Sequence, residues 1–151
     1  MTRQIVVLLA LCGSALHAQQ PPLLGAWQVS YPAGMRIEGD VETPIIGTGL
    51  LTIEAQGDSL IGTLVTDPTP EMPARPPSRL AAKSGSGDVT FIAIGKATIN
   101  INGSERQTKS VSTWVLRANG DAIEGTVQRS IEGVDGGTQP PRPVSGTRRK
   151  G

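Results

Sequence analysis

Residues 55–64, AQGDSLIGTL, recur as ANGDAIEGTV at 118–127, and this pair decides the fold. Each copy carries an alternating apolar run, a Gly-Asp turn and a second alternating run interrupted by Gly-Thr, the pattern of a β-hairpin. The match extends outward: Leu51 and Ile53 before the first turn correspond to Trp114 and Leu116 before the second. Each copy is followed by a proline-rich stretch, PARPPS from Pro73 and QPPRP from Gln139. A unit of about sixty residues therefore occurs twice, at about 45–83 and 108–149. Repetition of hairpin plus loop predicts an all-β meander, because both halves must satisfy one packing geometry.

The chain opens with Arg3, an apolar run over 5–11 and small residues up to Ala18, the order of a secretory signal peptide. Its apolar core is far shorter than the ~20 residues a transmembrane helix needs. The expectation is a leader at 1–18, a single domain at 19–151 and a secreted or periplasmic location, with no transmembrane segment after cleavage. Loss of the leader removes the only Cys and the only His. What is left cannot form a disulfide, a Ser-His-Asp triad, a Cys-His pair or a zinc site of imidazole or thiolate. No Ser stands three residues before a Lys and no G-x-S-x-G occurs, so the expected protein is not an enzyme and uses no cofactor.

Of 14 Lys and Arg, Arg3 lies in the leader, leaving 13 cations against 13 Asp and Glu. A formally neutral domain with four aromatic residues is a poor match for nucleic acid, which demands an electrostatic footprint and bases to stack. The basic end Arg148-Arg149-Lys150 reads as a solvated tail.

Taken in order, 24–31 alternates with Trp27, Val29 and Tyr31 on one face, and Pro32-Ala33-Gly34 is expected to turn it. A strand at 35–42 would place Ile37, Gly39 and Val41 inward and Glu38, Asp40 and Glu42 outward. The plain reading of those carboxylates is a charged face that protects an edge, ahead of a cation site. The first hairpin spans 48–55 and 59–66, with Leu51, Ile53, Leu60 and Leu64 inward and Gly62 between them, where a glycine bends a sheet or leaves space. Loop 67–78 has five prolines, 79–83 is a short strand, and 89–102 is the longest extended run, with a bend expected at Gly95 and Ile92 and Ile94 beneath a loop. Asn102-Gly103 is a hairpin turn. The return strand, 108–117, sets Thr108, Ser110, Ser112, Trp114 and Leu116 on one face, polar first and apolar last. In 122–131 Ile123, Gly125, Val127 and Arg129 share a face, so Arg129 breaks an apolar pattern. Loop 132–143 and a last strand at 144–150 complete the chain.

Eight or nine antiparallel strands in sequence order close most simply into an up-and-down barrel, since closure removes exposed edges. Nine strands would force one parallel closing pair, which makes 35–42 or 79–83 the surplus element. In this light Gly25-Ala26-Trp27 resembles the lipocalin G-x-W signature, and TWVL at 113–116 is similar to the Trp-containing late strand of avidins. The resemblance to these calycin barrels implies a secreted container for a small molecule.

From the residues, the expected ligand is small and partly apolar, bound in the lumen by Thr108, Ser110, Ser112 and Arg129 with Trp27 and Trp114 as walls. In the plain alternative both Trp residues are core, and Arg129 reaches water or pairs with Asp67 or Glu132. A second class of function is a cell-envelope interaction or structural module, with loops 67–78 and 132–143 as the contact surface for a protein partner. No metal site is expected.

Overall fold

In the computed structural model, which describes residues 22–83 and 87–151, eight antiparallel strands follow one another around a closed barrel. They are β1 Gly25–Glu38, β2 Val41–Gln56, β3 Ser59–Thr66, β4 Ser78–Lys83, β5 Val89–Ile101, β6 Ser104–Asn119, β7 Ala122–Ile131 and β8 Arg142–Arg148. The leader predicted at 1–18 lies outside the described residues. No helix among the described residues is long and apolar enough to cross a membrane, a statement that leaves strands aside.

The strand count resolves at eight because the expected turn at 32–34 does not form. β1 runs through Pro32 with a bulge at Ala33, and the chain reverses at Gly39-Asp40, where Gly39 adopts φ 62°. Pro32 is tolerated because β1 pairs with β8 only from Trp27 to Ser30, so its missing N–H faces an open edge. Residues 35–42 are thus the two sides of one hairpin tip. Gly39 belongs to the turn and Val41 is 63% exposed, so neither faces inward, and Asp40 leaves the line of carboxylates. The 79–83 strand is real and is contained in β4.

The connections divide between the two ends of the barrel. Tight turns at 57–58 and 120–121, the last residues of β4, the first residues of β5 and the described chain ends share one end of the barrel, called here the closed end. The turns at 39–40 and 102–103 and the long loops 67–77 and 132–141 share the other, the loop end. At Asn102-Gly103 φ is 53° and 83°, the pair of positive values a two-residue hairpin turn requires.

At the loop end the distal halves of β1–β2 and β5–β6 outrun their outer neighbours and project as two-stranded ribbons. β2 pairs with β3 only from Gly49, and β5 meets β4 only at Ala81–Ile92. Pairing of β5 with β6 is continuous from Val89 to Ile101, so Gly95 causes no break in register. Ile92 and Ile94 lie on the outer face at 39% and 68% exposure, not beneath a loop.

Alternation sets the inner face of the wall. Trp27, Val29, Leu51, Ile53, Leu60, Leu64, Leu80, Phe91, Trp114, Leu116, Ile123 and Val144 fill the interior as one cluster. Gln28, Thr52, Thr90, Thr113, Arg117, Glu124 and Thr147 alternate with them on the outside. An interior filled by apolar side chains is the reverse of the polar lumen of a membrane-spanning barrel. The inner glycines do not leave space. A Cβ at Gly62 would stand 3.3 Å from Leu51 and 3.4 Å from Leu80, and one at Gly125 would collide with the backbone carbonyl of Val115. Both mark close approach of neighbours.

Strand pairing makes the two halves of the barrel comparable position by position. β2–β3 pairs Gly49 with Thr66 and Leu51 with Leu64, while β6–β7 pairs Ser112 with Arg129 and Trp114 with Val127. β3–β4 pairs Leu64 with Ser78, and β7–β8 pairs Val127 with Arg142. Trp27 opposite Leu51 has its counterpart in Phe91 opposite Trp114.

Candidate functional site

Polar side chains enter the interior at the loop end, above a floor of two aromatic rings. Tyr31 from β1 and Trp114 from β6 meet across the barrel with ring centroids 5.4 Å apart and planes tilted by 52°. Aromatic pairs favour such tilted arrangements because ring edges and faces carry opposite partial charge. The Tyr31 hydroxyl is 2.7 Å from Thr66 Oγ1 on β3. Burial is the main force raising the phenol above its ordinary pKa; the Thr66 bond and the charge of Arg75 act against it.

Above this floor stand the second-half residues. Ser110 is 5% exposed, and its Oγ accepts a 2.9 Å hydrogen bond from Arg129 Nε. Ser112 is the direct cross-strand partner of Arg129. Burial first, and then the nearby charge of Arg75, lower the Arg129 guanidinium from its usual value. Arg129 therefore pairs with neither Asp67 nor Glu132. Asp67 Oδ2 accepts from Gln28 Nε2 at 3.0 Å and from Thr48 Oγ1 at 2.8 Å, while the Glu132 carbonyl accepts from Thr108 Oγ1 at 2.8 Å.

Of the six residues singled out from the sequence, Ser110, Ser112, Trp114 and Arg129 come together at this mouth. Thr108 stands farther out on the β5–β6 ribbon, where its hydroxyl ties the ribbon to loop 132–141. Trp27 belongs to the closed end and is fully buried. Its Nε1 donates to the Leu23 carbonyl at 2.8 Å, and the Arg148 guanidinium covers its ring at 4.1 Å from the centroid. Arg148 also donates to the carbonyls of Leu24 and Pro22, at 2.7 and 2.9 Å, so this end is plugged.

Three further mouth residues escaped the sequence reading. Met72 lies in proline loop 67–77 and is 3% exposed, held by paired backbone hydrogen bonds with Thr69. It folds down beside Ala33, Gly47 and Tyr31. Arg75 belongs to the same loop and acts electrostatically on both Tyr31 and Arg129. Arg142 begins β8 rather than ending a loop, and shares the inner face with Val144; its Nε is buried and has no hydrogen-bond partner. Extending the alternation back two residues from Val144 would have found it.

Open grooves of about 470–540 Å³ run over the outer wall, between β4 and β5, along the β5–β6 ribbon and across β6–β8. Thr108 lines the ribbon groove, and none of the three is lined by Ser110, Ser112, Trp114 or Arg129. Below the mouth the lumen is packed with apolar side chains. Among the described residues no group of three or more His, Cys, Asp and Glu is placed to hold a metal ion.

Comparison with known proteins returned no matching family model, no matching curated protein and no matching solved structure. The eight-stranded up-and-down architecture is compatible with a calycin-like barrel.

Proposed function

We propose that this protein is an extracytoplasmic, non-enzymatic binding barrel that holds a small, partly apolar molecule at its loop end. The observation carrying this reading is the cluster of Ser110, Ser112 and Arg129 on the inner face directly above Tyr31 and Trp114. Inward polar groups above an apolar floor are the composition of a ligand site: apolar contact supplies affinity, and a few directed hydrogen bonds supply orientation. The leader-like first 18 residues support export, and a chain without His or Cys beyond residue 17 supports a non-catalytic role. The G-x-W and TWVL resemblances point to the calycin group of small-molecule containers.

The ligand sits at the mouth rather than deep in the lumen, since Phe91, Leu60, Leu80, Leu116 and Ile123 occupy the interior below. The test uses a Trp27→Phe variant, leaving Trp114 as the single indole. Titration with a panel of compact lipophilic compounds is expected to shift or quench Trp114 emission for at least one chemical class. An unchanged spectrum across the panel would refute mouth binding.

A second reading, a cell-envelope interaction module, is favoured by apolar residues on the projecting ribbons: Val41, Ile46 and Ile94 are 63%, 57% and 68% exposed. Serine at these three positions should release a captured protein partner while leaving Trp114 titrations unchanged.

A further inference from the structure

We propose that the mouth selects an anion: its ligand is a compact amphipathic molecule whose oxyanion is held between Arg129 and Arg142. This rests on the reading of the mouth as a ligand site and adds the chemical class. Arg129 and Arg142 occupy the inner face of adjacent strands, Arg142 opposite Val127 and Arg129 two residues farther along β7. Such diagonal neighbours have Cα atoms about 7–8 Å apart, within reach of one shared oxyanion. Inward guanidinium groups at the rim of an apolar core lose hydration, a cost normally offset by a carboxylate. Here none is supplied. Among the described residues no carboxylate lies within ion-pair distance of Arg75, Arg129 or Arg142.

Of the loop-end carboxylates, Glu71 is engaged with Arg36 and Asp67 with Gln28 and Thr48, while Glu132 and Asp135 of loop 132–141 form no ion pair with Arg129 or Arg142. Arg142 goes further, with a buried Nε that no protein group meets. A buried donor without an acceptor is expensive, and an incoming oxyanion would satisfy it with a charge-assisted bond.

The first half of the barrel supplies an internal control. Where the second half has Ser110, Ser112, Arg129 and Arg142, the matching positions hold Gly47, Gly49, Thr66 and Ser78. There Met72 from the proline loop fills the space, whereas no residue of loop 132–141 is buried. One side of the mouth is thus stoppered by the chain's own apolar side chain, and the other is lined with unneutralised cations. The Tyr31–Trp114 floor gives no depth for a long alkyl tail, so the apolar part of the ligand is compact.

The experiment compares two fluorescent probes of one shape, 8-anilinonaphthalene-1-sulfonate and its uncharged parent N-phenyl-1-naphthylamine, on the wild type and on Arg129→Gln, Arg142→Gln and the double variant. The sulfonate is expected to bind about tenfold or more tightly than the parent. Each single substitution should raise its Kd about tenfold, the scale of one charged hydrogen bond, and leave the parent's Kd within about twofold. Circular dichroism and urea midpoints confirm that the variants fold. Equal binding of both probes, or sulfonate binding indifferent to the double substitution, overturns the anion inference and leaves the mouth site standing. Binding of neither probe, together with silent Trp114 titrations, overturns both.

Discussion

The halves β1–β4 and β5–β8 agree at the closed end of the barrel and part company at the loop end. Toward the closed end the matched inner positions hold residues of one kind: Trp27 and Phe91, Ile53 and Leu116, Leu60 and Ile123, Gly62 and Gly125, Leu80 and Val144. At the mouth glycines, a threonine and a serine face serines and two arginines across the pseudo-repeat. The shared part is what closing and filling a barrel demands, and nothing in barrel packing requires half-buried, inward-facing arginines on one side only. Divergence at matched positions is therefore where a specific task is to be sought.

The sharpest way to break the equivalence is at its matched glycines. Gly125→Ala should cost about 3 kcal/mol in urea unfolding, because the new methyl meets the Val115 backbone and a strand must shift. Gly62→Ala should cost less than half as much, since its neighbours are the side chains of Leu51 and Leu80. Equal losses would mean that the two halves are packed alike.

Removing the stopper tests the asymmetry of the mouth. Met72→Ala should lower stability by about 2 kcal/mol, the low end for a buried large-to-small change in a loop that can settle. In its matched loop, 132–141, alanine at the exposed non-glycine positions Glu132, Val134 and Asp135 should change stability by no more than about 0.5 kcal/mol, as exposed sites usually do.

Two arginines on the inner face of β8 sharpen the contrast between the ends. Arg148→Met should destabilise by about 2 kcal/mol, losing its bonds to the Leu24 and Pro22 carbonyls and its stacking on Trp27. Arg142→Met should be neutral or stabilising, because it replaces an unpartnered buried donor with an apolar side chain. Urea midpoints of the pair decide this, and a loss at Arg142 equal to that at Arg148 would contradict the account of the mouth.

The smallest effect concerns Tyr31. Its folded-state pKa is raised, mainly by burial, so the unfolded chain gives up this proton first as pH climbs past about 10. Stability from this group is intact below that pH and declines above it. Tyr31→Phe should cost about 1 kcal/mol at neutral pH through the lost Thr66 bond, and should flatten the alkaline decline.

Much of the barrel was legible from periodicity. The repeated hairpins, the proline loops and the inner faces of 48–66 and 108–131 follow from a two-residue alternation that any half-buried strand must keep. The Pro32-Ala33-Gly34 stretch does not reverse the chain, because such residues break a strand only where it has partners on both sides. β1 had already passed its last contact with β8, so Pro32 and a bulge could be absorbed. At the mouth, the switch from Thr108, Ser110 and Ser112 to Trp114 and Leu116 located the polar end of β6, and Arg129 announced itself by breaking a pattern. Alternation puts Trp27 on the same inner face as Trp114, but it fixes a face without fixing a height.

By itself, then, the sequence determined which side chains turn inward and that the strands follow one another in order, since both depend on contacts local to a hairpin. Only the tertiary structure decided which inward residues become neighbours. Height in a barrel is set by the registers of all eight strands together, and these put Arg142 beside Arg129, Met72 above Gly47 and Trp27 at the far end under Arg148. Those placements rest on pairings and loop contacts between residues far apart in the chain, which no local pattern encodes.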